Sequence, residues 1–253
     1  MNKIALITGA SAGIGEACAL KLAENGFDLI IAGRREKNIK NLSKKIQDTY
    51  GKEVFNLCLD VRNYKEVEKT INDLPEKWKN IDVLVNNAGL AVGVSPIEEG
   101  VIDDWDRMID TNVKGLLYVT RCVSPLMASR KKGLIVNISS IAGKEAYPGG
   151  NVYCGTKHAV EAITKGMRID LLPHNIRVSS IAPGMVETEF SLVRFKGDQS
   201  KAEQVYNGFE PLKAEDIAES LLFIATRPEH VSINDILIMP SAQASARDVN
   251  RKL

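Results

Sequence analysis

Tyr153 and Lys157 stand four residues apart, a spacing that puts a phenol and an ammonium on one face of a helix. A phenol beside a fixed cation can give and take a proton near neutral pH, because the cation favours the phenolate. At the other end of the chain lies a glycine-rich run, Thr8-Gly9-Ala10-Ser11-Ala12-Gly13-Ile14-Gly15. Lacking side chains, Gly9, Gly13 and Gly15 let a strand-to-helix turn approach a pyrophosphate, whose charge is met by the helix N-terminus. The spacing is G-x-x-x-G-x-G rather than G-x-G-x-x-G, and by itself it also suits an ordinary tight turn. Together the two elements describe a nucleotide-dependent enzyme whose cofactor moves hydride while the protein moves the proton.

The end of the second expected strand discriminates between cofactors. An acidic residue there would hold a ribose 2′-hydroxyl, but this chain carries Gly33-Arg34-Arg35. A guanidinium suits a 2′-phosphate through planar, charge-assisted hydrogen bonds. Arginine is also the wrong sign for a helix N-terminus, costing about 0.3–1 kcal/mol unless an anion is nearby. The expected cofactor is therefore NADP. Asp60-Val61 ends the third strand, where the carboxylate suits an adenine amino group, an N-cap for the next helix, or both. Asn86-Asn87-Ala88-Gly89 ends the fourth, where small and amide-bearing residues let a nucleoside pack against the sheet edge.

Positioning these groups requires a scaffold, and the chain alternates short β-rich runs with amphipathic stretches almost from end to end. Strands are predicted at Ile4–Thr8, Asp28–Ala32, Glu53–Leu59, Val83–Asn86, Leu134–Ile138, Arg177–Ile181 and Asp235–Met239. Several are apolar at consecutive positions, as parallel strands covered on both faces must be. Helices are predicted at Ile14–Asn25, Lys37–Tyr50, Lys65–Leu74, Trp105–Ser129, Tyr153–Leu172 and Ala214–Thr226. The alternation predicts right-handed βαβ units building one α/β domain across residues 1–253. Met185–Glu210 breaks the rhythm: it is polar, studded with Phe190, Phe195, Tyr206 and Phe209, and long for a strand-to-helix connection, which marks a lid. With 33 Lys+Arg against 32 Asp+Glu, bulk charge exerts no pull toward nucleic acid or anionic membrane. No apolar run is long enough to span a bilayer, and Met1-Asn2-Lys3 leads straight into the first strand rather than into a signal peptide. Four scattered cysteines suggest neither zinc nor a disulfide framework, no metal site is expected, and a reducing cytoplasm is the natural setting.

Thr8-Gly9-x-x-x-Gly13-Ile14-Gly15, Asn86-Asn87-Ala88-Gly89, Asn112, Ser139-Ser140, Tyr153-x-x-x-Lys157 and Pro183-Gly184 occur in an order and spacing that resembles the short-chain dehydrogenase/reductase family over nearly the whole chain. The resemblance implies a single-domain Rossmann fold, a doubly wound seven-stranded parallel sheet flanked by helices. It implies Tyr153 as acid/base, Ser140 as the catalytic serine (with Ser139 its competitor), and Lys157 as the holder of the nicotinamide ribose. Asn112 is implied to complete a water-linked proton relay from a mid-helix backbone distortion. The implied cofactor contacts are Gly9, Ser11, Gly13, Ile14, Gly15, Arg34, Arg35, Asp60, Val61, Asn87, Ala88 and Gly89. Tyr153, Lys157, Pro183, Gly184, Val186 and Thr188 complete the set.

Residue chemistry agrees, since a serine hydroxyl can donate to a carbonyl oxygen where negative charge develops. Within the family the chain is most similar to NADP-dependent 3-hydroxy acid dehydrogenases, the branch of serine and allo-threonine dehydrogenases. That likeness is carried by Ile81 through Ala91, Trp105 through Gly115, Gly149 through Tyr153, Val193 through Asp198 and Ile238 through Pro240. It implies a small 3-hydroxy acid, bound by Ser140 and Tyr153, with Arg194 and Lys196 on the lid as candidates for its carboxylate. A homotetramer is also implied. The alternatives are a broad NADPH-dependent carbonyl or 3-oxoacyl reductase, or an NADP-binding redox sensor without turnover.

Overall fold

The computed structural model of the chain describes residues 2–252. Seven strands form one parallel sheet in the order β3-β2-β1-β4-β5-β6-β7. They are β1 (Ile4–Thr8), β2 (Asp28–Gly33), β3 (Val54–Cys58), β4 (Ile81–Asn86), β5 (Gly133–Ile138), β6 (Ile176–Pro183) and β7 (Asp235–Ile238). In β1 every residue is buried, so the strand reads as an apolar run, yet its side chains still alternate. Ala5 and Ile7 join a core built with helices α1 (Gly13–Glu24), α2 (Glu36–Tyr50) and α9 (Ala214–Ala225). Ile4 and Leu6 face the opposite core, under α3 (Tyr64–Asn72) and α5 (Leu116–Ser129).

Strand β1 pairs with both β2 and β4, in the register Leu6↔Ile30 and Leu6↔Leu84. The strand order therefore reverses direction beside β1, and a crevice opens there at the carboxyl ends of the strands. Around it stand α1, the β4 exit, the turn after β5, and α6 (Asn151–Asp170).

One expectation needs correction. The stretch Trp105–Ser129 is not one regular helix: α4 (Ile102–Ile109) runs into a π-helical turn, Asp110–Gly115, before α5 continues. The Met185–Glu210 segment contains two short helices, α7 (Phe190–Arg194) and α8 (Gln199–Gln204). Among the described residues, no helix is long and apolar enough to cross a membrane.

Candidate active site

The crevice is a cleft of about 710 Å³. One half of it is built for phosphate. Gly9 and Gly13 both adopt left-handed backbone, with φ of +66° and +57°. A Cβ on Gly9 would come within 2.9 Å of Ala88 Cα, so only glycine lets the turn lie against the β4 exit. That contact is tied down by Asn87, whose Nδ2 donates to Thr8 O at 2.9 Å and Gly9 O at 3.1 Å. The N-cap of α1 is Ala12, which has no side chain to satisfy the first-turn N–H groups, so they are left for a ligand. Ser11, Ile14, Val61, Ala88 and Gly89 line the same half of the cleft. Gly15 does not line it; its role is the close approach to Gly9 and Asn87 behind the turn. Asn86 faces away, donating to Thr120 and Asn137 at 2.9 Å each in a buried polar chain.

Arg34 and Arg35 both reach the cleft. Arg35 donates to Ser11 Oγ at 3.2 Å and pairs with Glu189 at 2.8 Å. An uncapped helix end flanked by two guanidinium groups fits a pyrophosphate and a phosphate monoester, and so fits NADP. Asp60 borders the cleft too, with both carboxylate oxygens taken by Arg62. Those hydrogen bonds hold its carboxyl below the usual range. It does not cap the next helix: Asn63 does, accepting from Glu66 N.

The other half of the cleft carries the candidate proton-transfer groups. Tyr153 and Lys157 project from α6 and are buried, as the four-residue spacing requires. Their relation differs from the expectation. Lys157 Nζ donates to Ile138 O at 2.9 Å, at the end of β5, and lies 6.0 Å from the Tyr153 ring centroid. Among the described residues no cation hydrogen-bonds the phenolic oxygen, and burial pushes the Tyr153 phenol up, reinforced by Tyr147 and opposed by Ser140 and Arg194. Burial brings the Lys157 ammonium down to about 8, against the pull of Glu161. Tyr153 therefore holds its proton firmly at neutral pH.

Ser140 lines the cleft and caps the 3-10 turn Ile141–Gly143 by accepting from Ala142 N at 3.1 Å. Ser139 lines it as well, but its hydroxyl is buried on the side of Glu161. Asn112 sits in the π-helical turn and is buried. Its side chain brackets Leu90, accepting from the backbone N–H and donating to the carbonyl at 2.8 Å each, and donates to Thr156 Oγ1 at 3.0 Å. The amide thus ties the β4 exit to α6 instead of facing the cleft, leaving any relay to the backbone of the widened turn.

Pro183, Gly184, Val186 and Thr188 continue the cleft wall from β6 into the segment that covers it. Phe190 of α7 packs on Tyr153, with ring centroids 5.8 Å apart. Arg194 also lines the cleft; its Nη2 donates to Tyr147 OH at 3.0 Å, while its buried Nε has no partner. Lys196 does not join it. Lys196 pairs with Asp104 at 2.7 Å, and Asp104 is buried, so this charge is spent anchoring the segment outside the cleft wall.

Tyr147 and Gln243 are among the cleft residues that the sequence reading does not single out. Tyr147 lies in the Ala146-Tyr147-Pro148-Gly149 turn ahead of α6, where an aromatic hydroxyl among turn residues was the available signal. Gln243, buried, accepts from Met185 N at 2.9 Å and donates to Ser245 O at 2.9 Å. Nothing in its local sequence marks it.

A parallel sheet with a phosphate cradle at its switch point, and a phenol, hydroxyl and ammonium across the cleft, defines a nucleotide-dependent oxidoreductase. The chain belongs to the short-chain dehydrogenase family, whose model matches residues 3–198. It is 46% identical over 252 residues to the NADP-dependent 3-hydroxy acid dehydrogenase of Schizosaccharomyces pombe, covering 99% of this chain and 97% of that one. It is 44% identical over 253 residues to sulfoacetaldehyde reductase 2 of Chromohalobacter salexigens, covering 99% and 100%. The closed form of serine dehydrogenase complexed with NADP+ superposes with a TM-score of 0.92 at 44% identity, covering 98% of this chain and all of that one.

Proposed function

We propose that this protein is an NADP(H)-dependent oxidoreductase that interconverts a small 3-hydroxy acid and its 3-oxo counterpart. The observation that carries the reading is Arg194, held by Tyr147 in the same cleft as Tyr153 and Ser140, with its Nε–H unpaired. A guanidinium in the same cleft suits the carboxylate of such a substrate. Arg34, Arg35 and the first turn of α1 hold the cofactor, which supplies or accepts the hydride when bound. Lys157 holds the nicotinamide ribose.

In the reducing direction Ser140 donates to the carbonyl oxygen, and Tyr153 delivers its firmly held proton to that oxygen. The proton is replaced through the water-linked path at the widened Asn112 turn. Residues 185–210 act as the lid of this single domain, Phe190 keeping water from the phenol. Exposed Ile102 and Ile109 on α4, Leu117 on α5, Ile169 on α6 and Leu172 just beyond it support a homotetramer, which sedimentation velocity tests. Four free cysteines support a cytoplasmic setting.

A second reading rests on the sulfoacetaldehyde reductase likeness: a sulfonate one methylene from a carbonyl meets Arg194 as a carboxylate does. The test follows NADPH absorbance across 3-hydroxypropionate, serine, 2-hydroxyethanesulfonate and uncharged secondary alcohols, for the native chain and Arg194→Ala. Turnover of the carboxylates, with KM raised about 10–100-fold by the substitution, supports the first reading. Preference for the sulfonate supports the second. Turnover of neutral alcohols alone leaves a broad carbonyl reductase, and turnover of none leaves a cofactor-binding sensor.

A further inference from the structure

Behind the proton-transfer groups lies a buried carboxylate that the chemistry above does not use. Glu161 stands one helical turn beyond Lys157 on α6, and its side chain is 7% exposed. A carboxylate so far from water must be compensated. Its Oε1 accepts from Ser180 Oγ of β6 at 2.8 Å, and its Oε2 from Lys144 Nζ at 2.8 Å. Lys144 follows the turn that carries Ser140, and its ammonium also binds Asp235 of β7. Ser139 Oγ approaches the same carboxylate without a hydrogen bond of normal geometry.

The turn is pressed against α6 at this level. A Cβ on Gly143 would meet Lys157 O at 2.8 Å and Glu161 Cγ at 3.0 Å. The pieces that bear Ser140 and the Tyr153–Lys157 pair are thus held together through one acid.

We propose that Glu161 is a positioning residue of the redox site: with Lys144 and Ser180 it fixes the Ser140 turn against α6, and its negative charge holds Lys157 as the ammonium. The roles of Ser140 and Lys157 rest on the function proposed above. Glu161 lies one turn from Lys157 on the same helix, within reach for its charge to work against the burial that lowers the ammonium. The groups facing Glu161 from the packed elements are Lys144, Ser139, Ser180 and Asp235. Burial pushes its own carboxyl up, but the hydrogen bonds from Lys144 and Ser180, with Ser139 Oγ close by, outweigh this and leave it lowered, so it is ionised at neutral pH.

The two roles separate by sign. Glu161→Gln keeps the shape and removes the anion, so Lys157 should lose its proton at a lower pH than in the native chain. Lys144→Met removes the competing cation and leaves the anion, so Lys157 should lose its proton at a higher pH. Each shift is on the order of one pH unit. Lys144→Arg should restore the native midpoint.

The measurement is a carbon NMR titration of cofactor-free protein labelled at lysine Cε, with the Lys157 signal identified by its loss in Lys157→Met. The alkaline limb of kcat/KM should move in the same sense in each variant. Midpoints that stay put, or that move in one direction in both Glu161→Gln and Lys144→Met, overturn the inference. Absence of turnover in the native chain overturns the functional reading instead, and leaves the titration interpretable.

Discussion

The chemistry of the cleft turns on how firmly a phenol keeps its proton. Tyr153 is buried against Phe190 and Tyr147, and desolvation outweighs the help that Ser140 and Arg194 give the phenolate. A group in that state is present as its acid form at neutral pH, but burial makes it a weak acid, so it gives up its proton only to an oxygen that is gaining negative charge. Tyr153→Phe should therefore lower turnover by about 10²–10⁴-fold in the reducing direction. The dissociation constant for NADPH, read by fluorescence titration, should change little, because the phenol forms no part of the phosphate cradle. Turnover within threefold of native would mean that another group delivers the proton. Ser139 and Ser140 are adjacent in sequence, yet their hydroxyls serve different neighbours: one lies on the Glu161 side and the other caps the turn beside the phenol.

At the scale of elements, α7 is held over the cleft from both ends. Arg35 pairs with Glu189 just before it, and Lys196 pairs with Asp104 just after it. The backbone also joins them, Gly93 N donating to Arg194 O at 3.0 Å. Lys196→Met would leave the buried Asp104 carboxylate with only Arg107, 3.9 Å away, at a cost of about 1–3 kcal/mol. Asp104→Asn strands no charge and should cost less. Both variants should raise amide exchange across residues 190–197, and Lys196→Met should also melt lower. Native-like melting and exchange in Lys196→Met would show that the pair anchors nothing.

These elements also mark what could be read without coordinates. The strands were legible because burial on both faces writes them as unbroken apolar runs, as in Ile4-Ala5-Leu6-Ile7. The π-helical turn around Asn112 is implied only by the family resemblance, because one extra residue within α4–α5 barely disturbs an amphipathic pattern. Lys196 sits two residues from Arg194 and reads the same on the page. Only the fold reveals that Asp104, ninety-two residues earlier, claims it. The Glu161–Lys144–Asp235 cluster was likewise out of reach, since its members come together only when β5, β6 and β7 pair in that order and α6 packs on them.

At the scale of the molecule, one all-parallel sheet places the phosphate cradle and the proton-transfer groups on two sides of a single cleft, and the 185–210 segment spans both. The end of the chain joins in: Arg251 donates to Val205 O at 2.9 Å and stacks 5.0 Å from the Phe209 ring. The Arg35–Glu189 pair is where the two halves meet, and it sets up a competition. A phosphate monoester arriving at Arg35 must share or displace the carboxylate already there. Whatever free energy Glu189 gains from that guanidinium is withheld from the phosphate. The pair is half exposed, so the amount is small, about 0–1 kcal/mol.

Glu189→Gln should accordingly tighten NADPH by up to about fivefold and leave NADH unchanged, as measured by fluorescence titration. Equal effects on the two cofactors would dissolve the link. By reciprocity, phosphate bound at Arg35 must loosen this end of the covering segment by the same factor. One arginine thereby makes cofactor choice and access to the cleft a single equilibrium, tunable by one exposed acid.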